Sequence, residues 1–213
     1  MSALELKNVN IFREQTLMLS INQEVEGGQV LTIMGPSGVG KSTLLNYVAG
    51  MLPKAFTATG EVYLQGHRID QMPAWQRKTG LLFQDALLFN HLTVAENIAF
   101  AMPKSEGNRR QKREKIQIAL EQMSLAQLGD AAVSQLSGGQ QARVALLRVL
   151  FSQPKAILLD EAFSKLDSQL RQSIRQLVFE QIKQKNLPAL MVTHDLADAN
   201  AAQGPVIEVQ SLC

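Results

Sequence analysis

The sequence has a single cysteine, Cys213, at its last position, so it can form neither an intrachain disulfide nor a multi-cysteine metal site. Long apolar runs are also missing. The two longest, Leu44 to Leu52 and Val144 to Phe151, are short or interrupted, well below the roughly 20 residues that span a bilayer. The opening residues, MSALELKNVN, lack the basic flank and apolar core of a secretory peptide. Neither charge sign dominates: 21 basic side chains face 19 acidic ones, a formal charge of +2. That balance gives no electrostatic reason to expect nucleic acid as a partner. What remains is a 213-residue chain with 46% hydrophobic and 19% charged residues, enough to bury a sizeable core. The expectation is a cytoplasmic globular protein.

The first third alternates as half-buried strands do, at Leu4 and Leu6, at Leu17, Leu19 and Ile21, and at Val62 and Leu64. Gly27-Gly28 breaks the second of these, and Val30 to Met34 reads as a fully buried strand. A helix follows from Ser42, with Gly50 placed to end it. Thr79 to Phe83 is another short strand, ending at Gln84. The middle changes character. Thr93-x-x-Glu96 has the spacing of a capping box and opens a helix carrying Val94, Ile98 and Phe100. The basic run NRRQKREK, from Asn108, leads into Ile116, Leu120 and Met123 at helical spacing. It has no aromatic neighbours, so a solvated helix face fits better than a nucleic-acid patch. The last third returns to strand–helix alternation: a helix from Ser137 to Ser152, a strand from Ala156 to Leu159, a helix from Ser168 to Lys185, and strands at Ala189 to Thr193 and Val206 to Val209. Buried strands alternating with helices predict an α/β fold with a mostly parallel sheet covered on both faces.

The strand ending at Met34 runs directly into GPSGVGKST: Gly35, Pro36, Ser37, Gly38, Val39, Gly40, Lys41, Ser42 and Thr43. Strand, G-x-x-x-x-G-K-[ST] loop and helix in that order make a phosphate cradle. The glycines let backbone N–H groups turn toward phosphate oxygens, and the helix start adds its positive end. Lys41 can place its ammonium on the β- and γ-phosphates, and the Ser42 hydroxyl can join a magnesium shell. A match by composition alone has a probability on the order of 1% in a chain this long. Further on, AILLDEA places Asp160 and Glu161 at a strand end. Neighbouring strand residues face opposite ways, so Asp160 can serve the metal while Glu161 polarises a water. LSGGQ puts Ser137, Gly138, Gly139 and Gln140 at a helix start, a second anion-binding terminus in one chain. Ser137-x-x-Gln140 is also a capping-box spacing, so a plain helix start accounts for part of the motif.

Taken together, these motifs resemble the ATP-binding subunits of ABC transporters over nearly the whole chain. GPSGVGKST resembles the Walker A motif, Gln84 the Q-loop glutamine, LSGGQ the signature and AILLDE the Walker B motif. SKLD, Ser164 to Asp167, is similar to the D-loop, and His194 in VTHD to the switch histidine. Phe12 stands where such subunits carry an aromatic that stacks on adenine; base stacking of this kind is worth roughly 1–3 kcal/mol. His67 and His91 match no motif and read as surface residues. The resemblance implies a P-loop core formed by residues 1–85 and 136–213, an antiparallel β subdomain near the N-terminus and a helical subdomain over about 86–135. It implies two copies of the chain, head to tail, each ATP lying between the loop of one and Ser137, Gly138, Gly139 and Gln140 of the other. Hydrolysis would use Glu161 as base, Lys41 and His194 against phosphate charge, and magnesium on Ser42, Gln84 and Asp160. FQDALLFNHLTVAENIAF resembles the region that receives a membrane permease, with Leu87, Leu88, Phe89 and Leu92 as its apolar cluster. The implied setting is the cytoplasmic face of a bacterial inner membrane, with a permease, a periplasmic substrate-binding protein and no nucleic acid.

Two features depart from the family pattern. Ala162 stands where a proline usually follows the Walker B glutamate. The sequence also stops soon after His194, so a C-terminal ligand-sensing domain is not expected. Three rival readings are an ATPase of an export or lipoprotein-release complex, a soluble ABC protein acting on DNA or ribosomes, and a P-loop kinase or GTPase. The second would need a long coiled-coil insertion or a second cassette. The third leaves LSGGQ and His194 without a role.

Overall fold

The structure, a computed structural model, describes residues 3–210. Cys213, and with it the expectation about disulfides, lies outside the described residues, as do the first two residues of the N-terminal stretch. In chain order the elements are β1 (Ala3–Arg13), β2 (Thr16–Glu26), β3 (Val30–Met34), α1 (Lys41–Ala49), β4 (Phe56–Leu64), β5 (His67–Arg68), β6 (Thr79–Phe83), α2 (Val94–Ala101), α3 (Arg109–Gln122), α4 (Gly138–Phe151), β7 (Ala156–Asp160), α5 (Ser168–Gln184), β8 (Ala189–Val192), α6 (Leu196–Ala202) and β9 (Val206–Glu208). They fall into two compact units. Of the described residues, the first takes those up to Leu81, Lys155–Glu161 and those from Arg175 onward; the second takes Leu82–Pro154 and Ala162–Ile174.

The first unit carries two sheets. Strands β2, β1, β4 and β5 form an antiparallel sheet in that order. Its register slips between Leu6 and Val9, where Asn8 has φ 48°, a bulge opposite Gly60. Gly60 has φ 93°, and a Cβ there would lie 2.3 Å from the Asn8 carbonyl oxygen, so only glycine fits. The second sheet has the order β6–β7–β8–β3–β9, with β7, β8, β3 and β9 parallel. The residues of β3, those of β8 and the first four of β7 are buried, as continuous apolar runs in a doubly covered sheet should be. A single core unites Leu4, Ile11, Leu31, Ile33, Leu44, Val62, Leu158 and Val192. Because β7, β8 and β3 are parallel neighbours, with Asp160 and Ile33 both level with Val192, their following loops leave from one carboxyl edge.

The second unit is helical. Val94 and Ile98 of α2, Ile116 and Leu120 of α3, and Val144 and Leu147 of α4 are buried. The capping box at Thr93 is present in both directions, and Asn108 with Gln111 makes another at the head of α3. The basic run is largely solvated, as its composition predicts. The helix carries Val94, Ile98 and Phe100 as expected, and Phe100 lies off the packed face of the other two, 70% exposed. Six residues on from Val94, at about 100° each, it points to the other side of the helix. The sequence reading also gave no helix after His194, where α6 forms with Asp195 as its N-cap.

Candidate functional site

The loop after β3 owes its shape to glycine. Gly38 and Gly40 have φ 87° and 96°, conformations that an L side chain rarely adopts, and Gly40 caps α1. At Gly35 the constraint is contact: a Cβ would lie 2.3 Å from the Val209 carbonyl oxygen. Pro36, Ser37 and Gly38 are exposed, whereas Val39 and Gly40 are buried. Successive N–H groups in such turns, followed by a helix start, form an anion-binding concavity. Lys41 is nearly buried, and its Nζ donates to the carbonyls of Gly35 and Pro36, each at 2.7 Å. Burial pushes its pKa below the usual lysine value, and the negative charges of Glu161 and Asp160 oppose that shift.

Beside it, Ser42 Oγ donates to Asp160 Oδ1 at 2.7 Å. Asp160 is held above the usual aspartate range, first by burial and also by the charge of Glu161, with the Ser42 bond and Lys41 pulling the other way. A hydroxyl and one carboxylate are hard oxygen donors, the set magnesium takes when phosphates and water complete its shell. Among the described residues no three His, Cys, Asp or Glu side chains gather to hold a metal by themselves. The residues present therefore fit magnesium that arrives with a phosphate ligand.

Glu161 follows with φ 46° and donates its N–H to the Val192 carbonyl at 3.1 Å. A left-handed non-glycine residue costs on the order of 1–2 kcal/mol, and such strain gathers at functional sites. A proline at 162 would push residue 161 toward extended backbone, whereas Ala162 leaves the left-handed turn open. His194, exposed after β8, brings Nδ1 to 3.4 Å from Glu161 Oε1. Phe12, half-buried, pairs with Leu17 across β1 and β2. A Cβ on Gly40 would touch Met18 and Leu19 of the same hairpin, at 3.4 and 3.7 Å. The first unit thus brings the phosphate loop, Asp160, Glu161 and His194 to one sheet edge.

Gln84 and residues 137–140 belong to the second unit. Gln84 is exposed, and the segment after it is pinned by Arg148, which donates to the carbonyls of Ala86 and Leu87 at 3.0 and 2.8 Å. Asp85 pairs with Lys165. Asn97, buried inside α2, accepts from the Phe89 N–H and donates to the carbonyls of Phe89, Leu92 and Thr93. Sequence reasoning passed over Asn97; a polar residue on a packed helix face was the only signal. At Ser137 the capping box is complete: Ser137 Oγ accepts from the Gln140 N–H at 3.3 Å, and Gln140 Oε1 from the Ser137 N–H at 2.8 Å. Gly138 is open to solvent, while Gly139 is buried under Leu170. The helix start therefore satisfies two of its own donors and presents glycine backbone for the rest.

Known proteins resemble this chain over most of its length. The family model described as ABC transporter matches residues 18–164. A protein of Escherichia coli named "Uncharacterized ABC transporter ATP-binding protein YnjD" is 46% identical over 198 residues, 92% of this chain and 90% of its own length. An Escherichia coli protein named "Fe(3+) ions import ATP-binding protein FbpC" is 37% identical over 205 residues, 96% of this chain but 58% of its own. A "Probable sulfate/thiosulfate import ATP-binding protein CysA" of Chlorella vulgaris is 38% identical over 179 residues, 84% of this chain and 75% of its own. The chain thus spans little more than half the length of the iron-import relative.

Proposed function

Because the chain belongs to the ABC transporter family, as one of its ATP-binding subunits, we propose that it hydrolyses ATP to drive solute import through a separate membrane permease. The observation that supports this most is the convergence of the phosphate loop, Asp160, Glu161 and His194 on one edge of the parallel sheet. The loop's N–H groups and Lys41 take the phosphates of ATP, and Phe12 stacks on the base. Ser42 and Asp160 would hold magnesium, which when bound neutralises phosphate charge. Glu161 accepts a proton from the water that attacks the γ-phosphate in line, and His194 bonds that phosphate as charge shifts. Ser137, Gly138, Gly139 and Gln140 serve the nucleotide held by a second copy of the chain.

Among the described residues no helix is long and apolar enough to cross a membrane. The subunit works at the cytoplasmic face of the inner membrane, against a permease that a periplasmic substrate-binding protein supplies. The import names of two relatives favour this direction over export. Its contact to the permease is the apolar surface after Gln84: Leu87 is 56% exposed, and Phe100 lies edge-on to Phe89 with ring centroids 4.9 Å apart.

The test has two arms. Glu161→Gln is expected to bind a fluorescent ATP analogue as the parent does and to turn over ATP about 10²–10⁴ times more slowly. Unchanged turnover removes Glu161 from its role. In the second arm, affinity purification from membranes is expected to bring down a permease with the parent chain and not with a folded Phe100→Glu or Leu87→Glu variant. Equal recovery with all three moves the contact elsewhere.

A further inference from the structure

The chain around His194 is braced by side chains for which the proposed chemistry has no use. Asp198 is 2% exposed. Its Oδ1 accepts from Arg175 Nη1 of α5 at 2.9 Å, and its Oδ2 accepts from Thr193 Oγ1 at 3.0 Å. The same Thr193 oxygen accepts from the Asp195 N–H at 3.1 Å. One hydroxyl therefore donates to a buried carboxylate and accepts from the main chain two residues on, bracketing His194 on both sides. His194 itself is 63% exposed, and its 3.4 Å approach to Glu161 is too long and too solvated to fix the ring.

Thr193 is 2% exposed and follows four buried residues of β8, Ala189 to Val192. Valine would match its shape there, so the hydroxyl answers to its two bonds and not to packing. The pair of half-buried Arg175 and buried Asp198 does not need to stabilise the fold, because an apolar pair of equal volume often does so as well. What the Asp198 carboxyl, held on one oxygen by Arg175, supplies with the other is a directional acceptor in one place. We propose that Thr193, anchored by the Asp198–Arg175 pair, is a positioning residue that fixes the main chain on both sides of His194 and so aims its ring. This rests on the reading of His194 as a γ-phosphate contact.

The experiment is a double-mutant cycle on ATP turnover by the full chain, with Thr193→Val, Thr193→Ser, His194→Ala and Thr193→Val with His194→Ala. Changes to Asp198 or Arg175 are avoided, since each leaves a buried charge unpaired and threatens folding. Thr193→Val is expected to lower kcat about tenfold, the size of one charge-assisted hydrogen bond, with KM for ATP within about threefold. Thr193→Ser, which keeps the hydroxyl, restores the parent kcat. In the His194→Ala background Thr193→Val has no further effect, because it acts through the absent ring. Parental kcat in Thr193→Val, or the same tenfold loss in both backgrounds, overturns the proposal and leaves the hydroxyl a merely structural bond. If His194→Ala alone turns over like the parent, the phosphate-contact reading fails and takes this one with it. A strong His194→Ala effect beside an inert Thr193→Val defeats this inference alone.

Discussion

Arg77 offers a test of how the phosphate-loop helix is held. It is 7% exposed, and its guanidinium spans four carbonyls: Nη1 donates to Tyr47 at 2.6 Å and to Val48 at 3.2 Å, Nε to Met72 at 2.8 Å and Nη2 to Asp70 at 2.6 Å. Tyr47 and Val48 lie in the last turn of α1, where helix carbonyls lack internal partners and the helix dipole favours a cation. Arg77→Met keeps the length and removes every donor. All four carbonyls lose the arginine, but the Tyr47 carbonyl retains the Gly50 N–H at 3.1 Å, so the net cost falls on the other three. At about 1–3 kcal/mol for each stranded buried acceptor, and less where water reaches it, the net loss should be about 3 kcal/mol. For a chain of this size that is a fall in Tm of about 6–12 °C, read by circular dichroism. Arg77→Lys keeps the charge but presents one ammonium where a planar fork spans four acceptors, so it should fall between the two. A methionine variant melting within about 2 °C of the parent, or a lysine variant equal to it, would refute the argument.

Two further outcomes follow from contacts in the site. In Gly139→Ala the new Cβ would lie 2.3 Å from Leu170 Cδ2, so the substitution should lower both Tm and ATP turnover although alanine favours helix; Leu170→Ala should restore them, and a Gly139→Ala chain that melts above the parent contradicts the packing. The raised pKa of Asp160 means the fold favours its protonated form, a contribution fully present below the ordinary aspartate value and lost as pH rises through the raised one. Asp160→Asn mimics the neutral acid and escapes that loss, so its stability relative to the parent should grow as pH rises from below the ordinary aspartate value, in urea titrations without nucleotide. Parallel curves would show that burial does not govern this carboxyl.

The chemistry-bearing segments were legible because each is local. The phosphate loop needs contiguous glycines after a buried strand, and the capping boxes at Thr93 and Ser137 need only a three-residue spacing. Strands β1, β2 and β4 showed in their alternation. What escaped depends on partners far along the chain. Arg77 reaches Tyr47, Arg175 reaches Asp198, and no periodicity marks either contact. The bulge at Asn8 is visible only with Gly60 beside it. The helix at Leu196–Ala202 is short and rich in alanine, with too few apolar positions to show a period. The second compact unit also includes Ala162–Ile174, which sequence order sets apart from 86–135.

The two bonds from Lys41 to the carbonyls of Gly35 and Pro36 have a kinetic consequence. They tie the ends of the loop together from within the chain, so the curve of the cradle is fixed by the fold and not by its guest. A cradle formed in advance spends little conformational entropy when a phosphate enters. Arrival of nucleotide should then run at the pace of diffusion and orientation, and differences in affinity among loop variants should appear mainly in how long the nucleotide stays.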